Sequence, residues 1–150
     1  MALPTDLTAI AHGIQLAVAP VFLLTAVSGM IGAAAGRLAR IIDRARIVEA
    51  RIAAEPAGDQ QQMAWRELGD LRTRGLLANS AIALLTLCAV MIGLTIIVLF
   101  LGETTELQIL RIAVVGFLGG VACFIFALAC FLAETVMATR LLNFARPPRL

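Results

Sequence analysis

The sequence predicts an all-α integral membrane protein with three transmembrane helices and a cytoplasmic helical hairpin extending the first two. Three observations lead there. The 150 residues are 61% hydrophobic and only 15% charged, with a mean hydropathy of +0.95, whereas soluble domains run at about 45–50% apolar and about 25% charged. Formal charges are absent from 30 residues between Asp6 and Arg37, from 28 between Arg74 and Glu103, and from 22 between Arg111 and Glu134. A helix crosses the hydrocarbon layer with about 20 apolar residues. Finally, no stretch alternates with period two, which argues against a β-barrel. Backbone groups in lipid must then be paired within each segment, and helix is the remaining solution.

The whole chain reads as one membrane domain. The first span covers about 13–36, the hairpin 37–75, the second span about 76–101, an outer loop "GETTE" 102–106, the third span about 107–133 and a cytoplasmic tail 134–150. The first run could be mistaken for a signal peptide, because "AAAG" at 33–36 resembles a cleavage site. Such peptides carry a basic start and an apolar core of about 7–15 residues. Here no Lys or Arg precedes position 37 and the run is too long.

Pro20 lies inside the first span and frees the carbonyl of Leu16, so a kink is expected there. His12 and Gln15 lie toward the outer surface. No second His exists to join His12 as a metal ligand or haem partner. Thr25, Ser28, Gly32 and Gly36 form a small-residue stripe on this helix, and Gly116, Gly120, Cys123, Ala127 and Cys130 form another on the third, ending at Glu134. Small residues let helix backbones approach closely in lipid. Both helices run outside to inside, so the stripes are expected to pack side by side. Glu134 would then meet Arg37 or Arg40 in an ionic cluster. A charge buried near lipid is costly unless it is paired, and it marks a candidate functional site.

The hairpin opens with "RLARIIDRARIVEAR", residues 37–51, which holds five arginines. Leu38, Ile41, Ala45, Val48 and Ile52 recur at spacings of 3 and 4, with Arg37, Arg40, Arg44 and Arg51 as a second stripe. This is an amphipathic helix, and no Gly or Pro separates it from the first span. "EPAGD" at 55–59 stops it, and Asp59 is placed to cap the next helix. In that helix Arg66, Asp70 and Arg74 are spaced for pairing along one face. Arg40, Asp43, Arg44 and Arg46 could likewise form a network along the first.

All twelve basic residues are arginine. Eight lie between the first and second runs, three follow the third, and only Arg111 lies on the other side. Positive residues in short loops stay cytoplasmic. This places the N-terminus outside and the C-terminus inside. It also gives the arginines a purely topological role, with headgroup contact, as the plainer reading. The sharper reading is that Arg37, Arg40, Asp43, Arg44 and Glu134 line an ion path.

Catalytic motifs are missing: no phosphate loop, HExxH or nucleophile elbow occurs. Cys88, Cys123 and Cys130 sit in apolar runs without a CxxC, as small packing residues. No cofactor, no metal and no enzymatic activity are expected, nor is nucleic-acid binding, because the basic segment lacks interleaved aromatics.

The segment "LAVAPVFLLTAVSGMIGAAAGRLARIIDRAR" (16–46) resembles the signature of a family of small bacterial inner-membrane proteins of unknown function. The residues that carry it are Ala19, Pro20, Val21, Phe22, Leu23, Leu24, Arg37, Leu38, Arg40, Ile41, Asp43, Arg44 and Arg46. "FLAETVMATRLL" (131–142), with Glu134 and Arg140, is similar to the family's third helix. Gly36 departs from the polar residue common before the first arginine. The resemblance implies three helices and a bacterial inner membrane, and no activity.

Two functions are compatible with this reading. One is a homo-oligomeric assembly forming a passive ion pore or transporter with an arginine-rich cytoplasmic mouth, since three spans are too few to enclose a conduit alone. The other is a non-catalytic accessory, scaffold or assembly subunit of a larger membrane complex. The partners expected are the lipid bilayer, further copies of the chain, and that larger complex.

Overall fold

The computed structural model describes residues 4–54, 56, 58–102 and 108–142, with side chains at 15, 18–54, 56, 58–99 and 111–139. Three helices account for nearly all of them: α1 (Pro4–Ala54), α2 (Asp59–Gly102) and α3 (Gln108–Leu142). All three are long and apolar enough to cross a membrane. At about 1.5 Å per residue, the 51 residues of α1 and 44 of α2 each give well over the ~30 Å of a hydrocarbon core. Both helices therefore overrun such a layer.

α1 passes through Pro20 without interruption, and Pro20 is buried. It also passes from the uncharged run into the arginine-rich run without a break, as the absence of Gly and Pro after Gly36 dictates. α3 continues through Glu134 to Leu142, so residues 134–142 are helical. Most of the loop 102–106 and residues 143–150 lie outside the described residues, as does the side chain of His12.

Burial follows a strict sevenfold spacing on every helix. On α1 the buried positions are Pro20, Val27, Ala34, Ile41 and Val48; on α3 they are Ala113, Gly120, Ala127 and Glu134. α2 buries Ala64, Leu71, Ala78, Leu85 and Ile92, and adds a second series, Ala81, Cys88 and Thr95. Heptad spacing is the period at which long helices pack side chains into one another's grooves. The outward positions are Leu, Ile, Val and Phe over the apolar runs, such as Phe22, Leu94, Val115 and Phe126. That composition is the one expected of a face solvated by lipid.

The chain forms two compact units, Met1–Ile31 with Leu84–Phe126, and Gly32–Ala83 with Ala127–Leu150. In the first, α3 backs closely onto α2. A Cβ built on Gly116 would lie 2.7 Å from Thr95 Oγ1, and one on Gly120 would lie 2.8 Å from Ile92 Cδ1. The Thr95 hydroxyl donates to the Met91 carbonyl at 2.8 Å and so is satisfied within its own helix. An apolar groove of about 280 Å³ in this unit is lined by Pro20, Leu99, Val114 and Phe117, among others.

In the second unit, α1 and α2 lie antiparallel. Ile41, Val48, Ala64, Leu71 and Ala78 form its apolar core, with Leu38, Ala45, Ile52 and Leu68 packed around them. At Gly75 a Cβ would lie 3.7 Å from Ile41 Cγ2, an ordinary van der Waals contact, so the two helices touch there without needing a glycine. Near the connection, Gln61 Nε2 donates to the Ile52 carbonyl at 3.4 Å, reaching one of the carbonyls left open at a helix end. Gln62 N–H donates to the Gly58 carbonyl at 3.1 Å. Gly58 therefore holds the cap position and Asp59 is the first helical residue, where its carboxylate complements the helix dipole. The expected Asp59 cap is displaced by one residue.

The small-residue stripes also differ from expectation. Thr25, Ser28, Gly32 and Gly36 are exposed, and a Cβ on Gly32 or Gly36 would meet nothing within 4 Å. Gly116 and Gly120 pack on α2 and not on that stripe, because the heptad of α1 turns Val27 and Ala34 inward instead.

The two kinds of glycine should respond oppositely to substitution. Gly120→Leu overpacks the contact with Ile92 and should destabilise by about 1–3 kcal/mol, read as a lower unfolding midpoint in detergent. Gly32→Ala should leave the midpoint unchanged or raise it slightly, since alanine is about 0.5–1 kcal/mol better in a helix interior. Equal losses in the two variants would contradict this packing.

Candidate functional site: a buried carboxylate held by two arginines

Glu134 occupies a core position in the heptad of α3, the next in the sevenfold series after Ala113, Gly120 and Ala127, and is 1% exposed. A carboxylate there loses its water and needs partners for both oxygens. Arg37 of α1 supplies one: its Nη1 donates to Oε2 at 2.7 Å. Arg74 of α2 supplies the other, donating to Oε1 from Nε at 3.1 Å and from Nη2 at 2.9 Å. One acid thus ties three helices together.

Further contacts orient Arg37. Its Nη1 also donates to the Thr135 hydroxyl, which in turn donates to the Phe131 carbonyl at 2.9 Å. Its Cζ lies 5.0 Å from the centroid of the Phe131 ring, a cation–π distance. The side chains of Arg37 and Arg74 are 30% and 19% exposed, so the cations keep partial hydration while the anion keeps almost none.

A second ion pair lies on the antiparallel pair of α1 and α2. Arg44 donates to Glu67 Oε1 from Nε at 2.8 Å and Nη2 at 2.6 Å, and Arg51 Nη1 lies 3.9 Å from Glu67 Oε2. These side chains are about a third to a half exposed, where such pairs contribute little.

Of the residues singled out in the sequence, the structure brings Arg37 and Glu134 together. Arg40 and Arg44 line a groove of about 220 Å³ beside them, with Ile41, Leu71 and Arg74. Asp43 and Arg46 are exposed, and no ion pair links Arg40, Asp43, Arg44 and Arg46 among the described residues. The reason is that Glu67 takes Arg44 across the helix pair. Nor do Arg66, Asp70 and Arg74 pair along α2, because Arg74 turns to Glu134.

Arg74 was missed as a site residue. Folding the chain about the break at 55–59 puts it opposite Arg40, within one turn of Arg37, and that register was the available signal. The burial of Glu134 was legible in the same way, from its place in the sevenfold series of α3. Among the described residues no cluster of His, Cys, Asp or Glu could hold a metal.

This is the architecture of a multi-pass helical membrane protein, with three apolar helices and a shared ionic centre. Residues 17–144 match the family described as protein of unknown function (DUF2721), and the chain belongs to that family. No curated protein and no solved structure matches it.

Glu134→Gln should remove the charge that both arginines rely on and cost about 3–5 kcal/mol, as breaking a buried pair does. Glu67→Gln should cost no more than about 1 kcal/mol. Unfolding in detergent micelles would compare them, and a Glu134→Gln midpoint equal to that of Glu67→Gln would refute the assignment.

Proposed function

We propose that the chain is a multi-pass protein of the bacterial inner membrane, without catalysis of its own, that serves as an accessory or assembly subunit of a larger membrane complex. The N-terminus faces outward, and the 37–75 hairpin and the C-terminus face the cytoplasm. The arginine distribution supports that orientation, with eleven arginines against seven acids on the inner side.

The observation that carries the reading is a groove of about 670 Å³ on the hairpin, lined by Leu38, Ile42, Ile52, Trp65, Leu68 and Leu76, among others. Trp65 and Ile42 stand exposed there, on the part of the helices that overruns a hydrocarbon layer, and Leu76 stands exposed at its edge. Apolar grooves of this kind take the apolar face of a partner helix, and tryptophan is a common anchor of such contacts. Glu49 and Arg72 at the rim offer one charge of each sign for register.

The pore reading finds less support. Arg37, the arginine nearest the membrane at the inner mouth, is spent on Glu134. Thr95 and Glu134, the buried polar side chains of the described residues, are both satisfied within the chain.

Solubilised gently at native abundance, the chain should run with a second polypeptide in fixed ratio, and Trp65→Ser should release that partner without lowering the unfolding midpoint. An assembly of one chain type, unchanged in mass by Trp65→Ser, would overturn this reading in favour of a homo-oligomeric conduit.

A further inference from the structure

Arg40 is exposed and makes no hydrogen bond or ion pair with a described residue, yet it lines the 220 Å³ groove together with Arg37, Arg44 and Arg74. We propose that this groove binds a phosphate oxyanion, carried either by free inorganic phosphate or by the headgroup of an anionic lipid.

Charge supports it first. Four guanidiniums line or flank the groove, against the carboxylates of Glu134 and of Glu67, which pairs with Arg44. Two positive charges are left over. Both Glu134 oxygens already accept hydrogen bonds, so the one acid in the wall is neutralised from behind.

Donors support it second. Arg37 bonds its carboxylate through Nη1, while Arg74 and Arg44 use Nε and Nη2. Nη2 of Arg37, Nη1 of Arg74, Nη1 of Arg44 and the whole Arg40 fork remain without a partner among the described residues. Planar forks with spare N–H groups suit the several acceptor oxygens of a phosphate better than a spherical halide. Three of the four arginines are already held in place by their carboxylates, so little rotamer freedom is lost on binding. Ile41 and Leu71 form the apolar part of the wall, which lowers the local dielectric on that side of the groove and strengthens the contacts there.

Position supports it third. Arg37, Arg74 and Glu134 bound the uncharged runs of all three helices. In a bilayer that is headgroup level, where anionic lipid phosphates lie. This last argument rests on the membrane reading above, whereas binding of the free ion does not.

The test uses the full chain in a neutral detergent with two probes. Inorganic phosphate is titrated against chloride at matched ionic strength and read by the unfolding midpoint. Phosphatidylglycerol or phosphatidylcholine is doped into the micelles and read by retained lipid in native mass spectrometry. Arg40→Gln should weaken binding by about tenfold, the scale of one lost charge-assisted hydrogen bond. Arg40→Lys should retain part of the affinity, and Arg46→Gln, an exposed arginine on the same helix outside the groove, should change nothing. Arginine-40-dependent binding of the ion assigns the free anion, and of phosphatidylglycerol alone the lipid; either supports the site. Binding of neither probe, equal losses in Arg40→Gln and Arg46→Gln, or indifference to Arg40 would overturn it. None of these readouts depends on whether a partner protein co-purifies.

Discussion

A carboxylate in the core of a helix bundle has no water to turn to, and the second unit of this chain is arranged around that constraint. Glu134 lies where α3 would otherwise place another Ala or Gly, and it is buried as completely as Ala127 one heptad before it. An ion there is tolerable only if both oxygens are met by charged donors. Those donors come from the other two helices, one each. Arg37 in turn is aligned by Thr135 and Phe131, one position after and three before the acid it serves.

The same constraint explains why the apolar packing below the clasp can be plain. Ile41, Val48, Ala64, Leu71 and Ala78 provide volume, and apolar contacts between smooth helices do not by themselves specify register. A single buried polar position can do so, as in coiled coils. One-turn slippage of α2 against α1 would move Arg74 away from Glu134 and strand a buried charge. The outer pair of Arg44 with Glu67 lies too far into solvent to enforce register alone.

Much of this architecture could be read from the amino acids, because runs without charge and punctuation by Pro and Gly are local signals. The three helices, the continuity of α1 past Gly36 and the break at 55–59 all follow from such signals. The proximity of Arg37 and Glu134 followed from depth, since both close an uncharged run. Arg74 did not, because its role depends on how α2 pairs with α1, a tertiary fact that competes with an equally good local partner in Asp70. The glycine stripes illustrate the same limit. Gly32 and Gly120 look alike in sequence, yet one faces open space and the other touches Ile92. Only the sevenfold series, read along all three helices together, separates them.

The central claim is that the arginines and Glu134 form one coupled centre, and a double-mutant cycle on Arg74 and Glu134 measures that coupling directly. Unfolding of Arg74→Met, Glu134→Gln and the double variant should give a coupling energy of about 1.5 kcal/mol or more, as contacting charges within a network do. Additive losses, with a coupling below about 0.5 kcal/mol, would mean the two side chains act independently and would contradict the account.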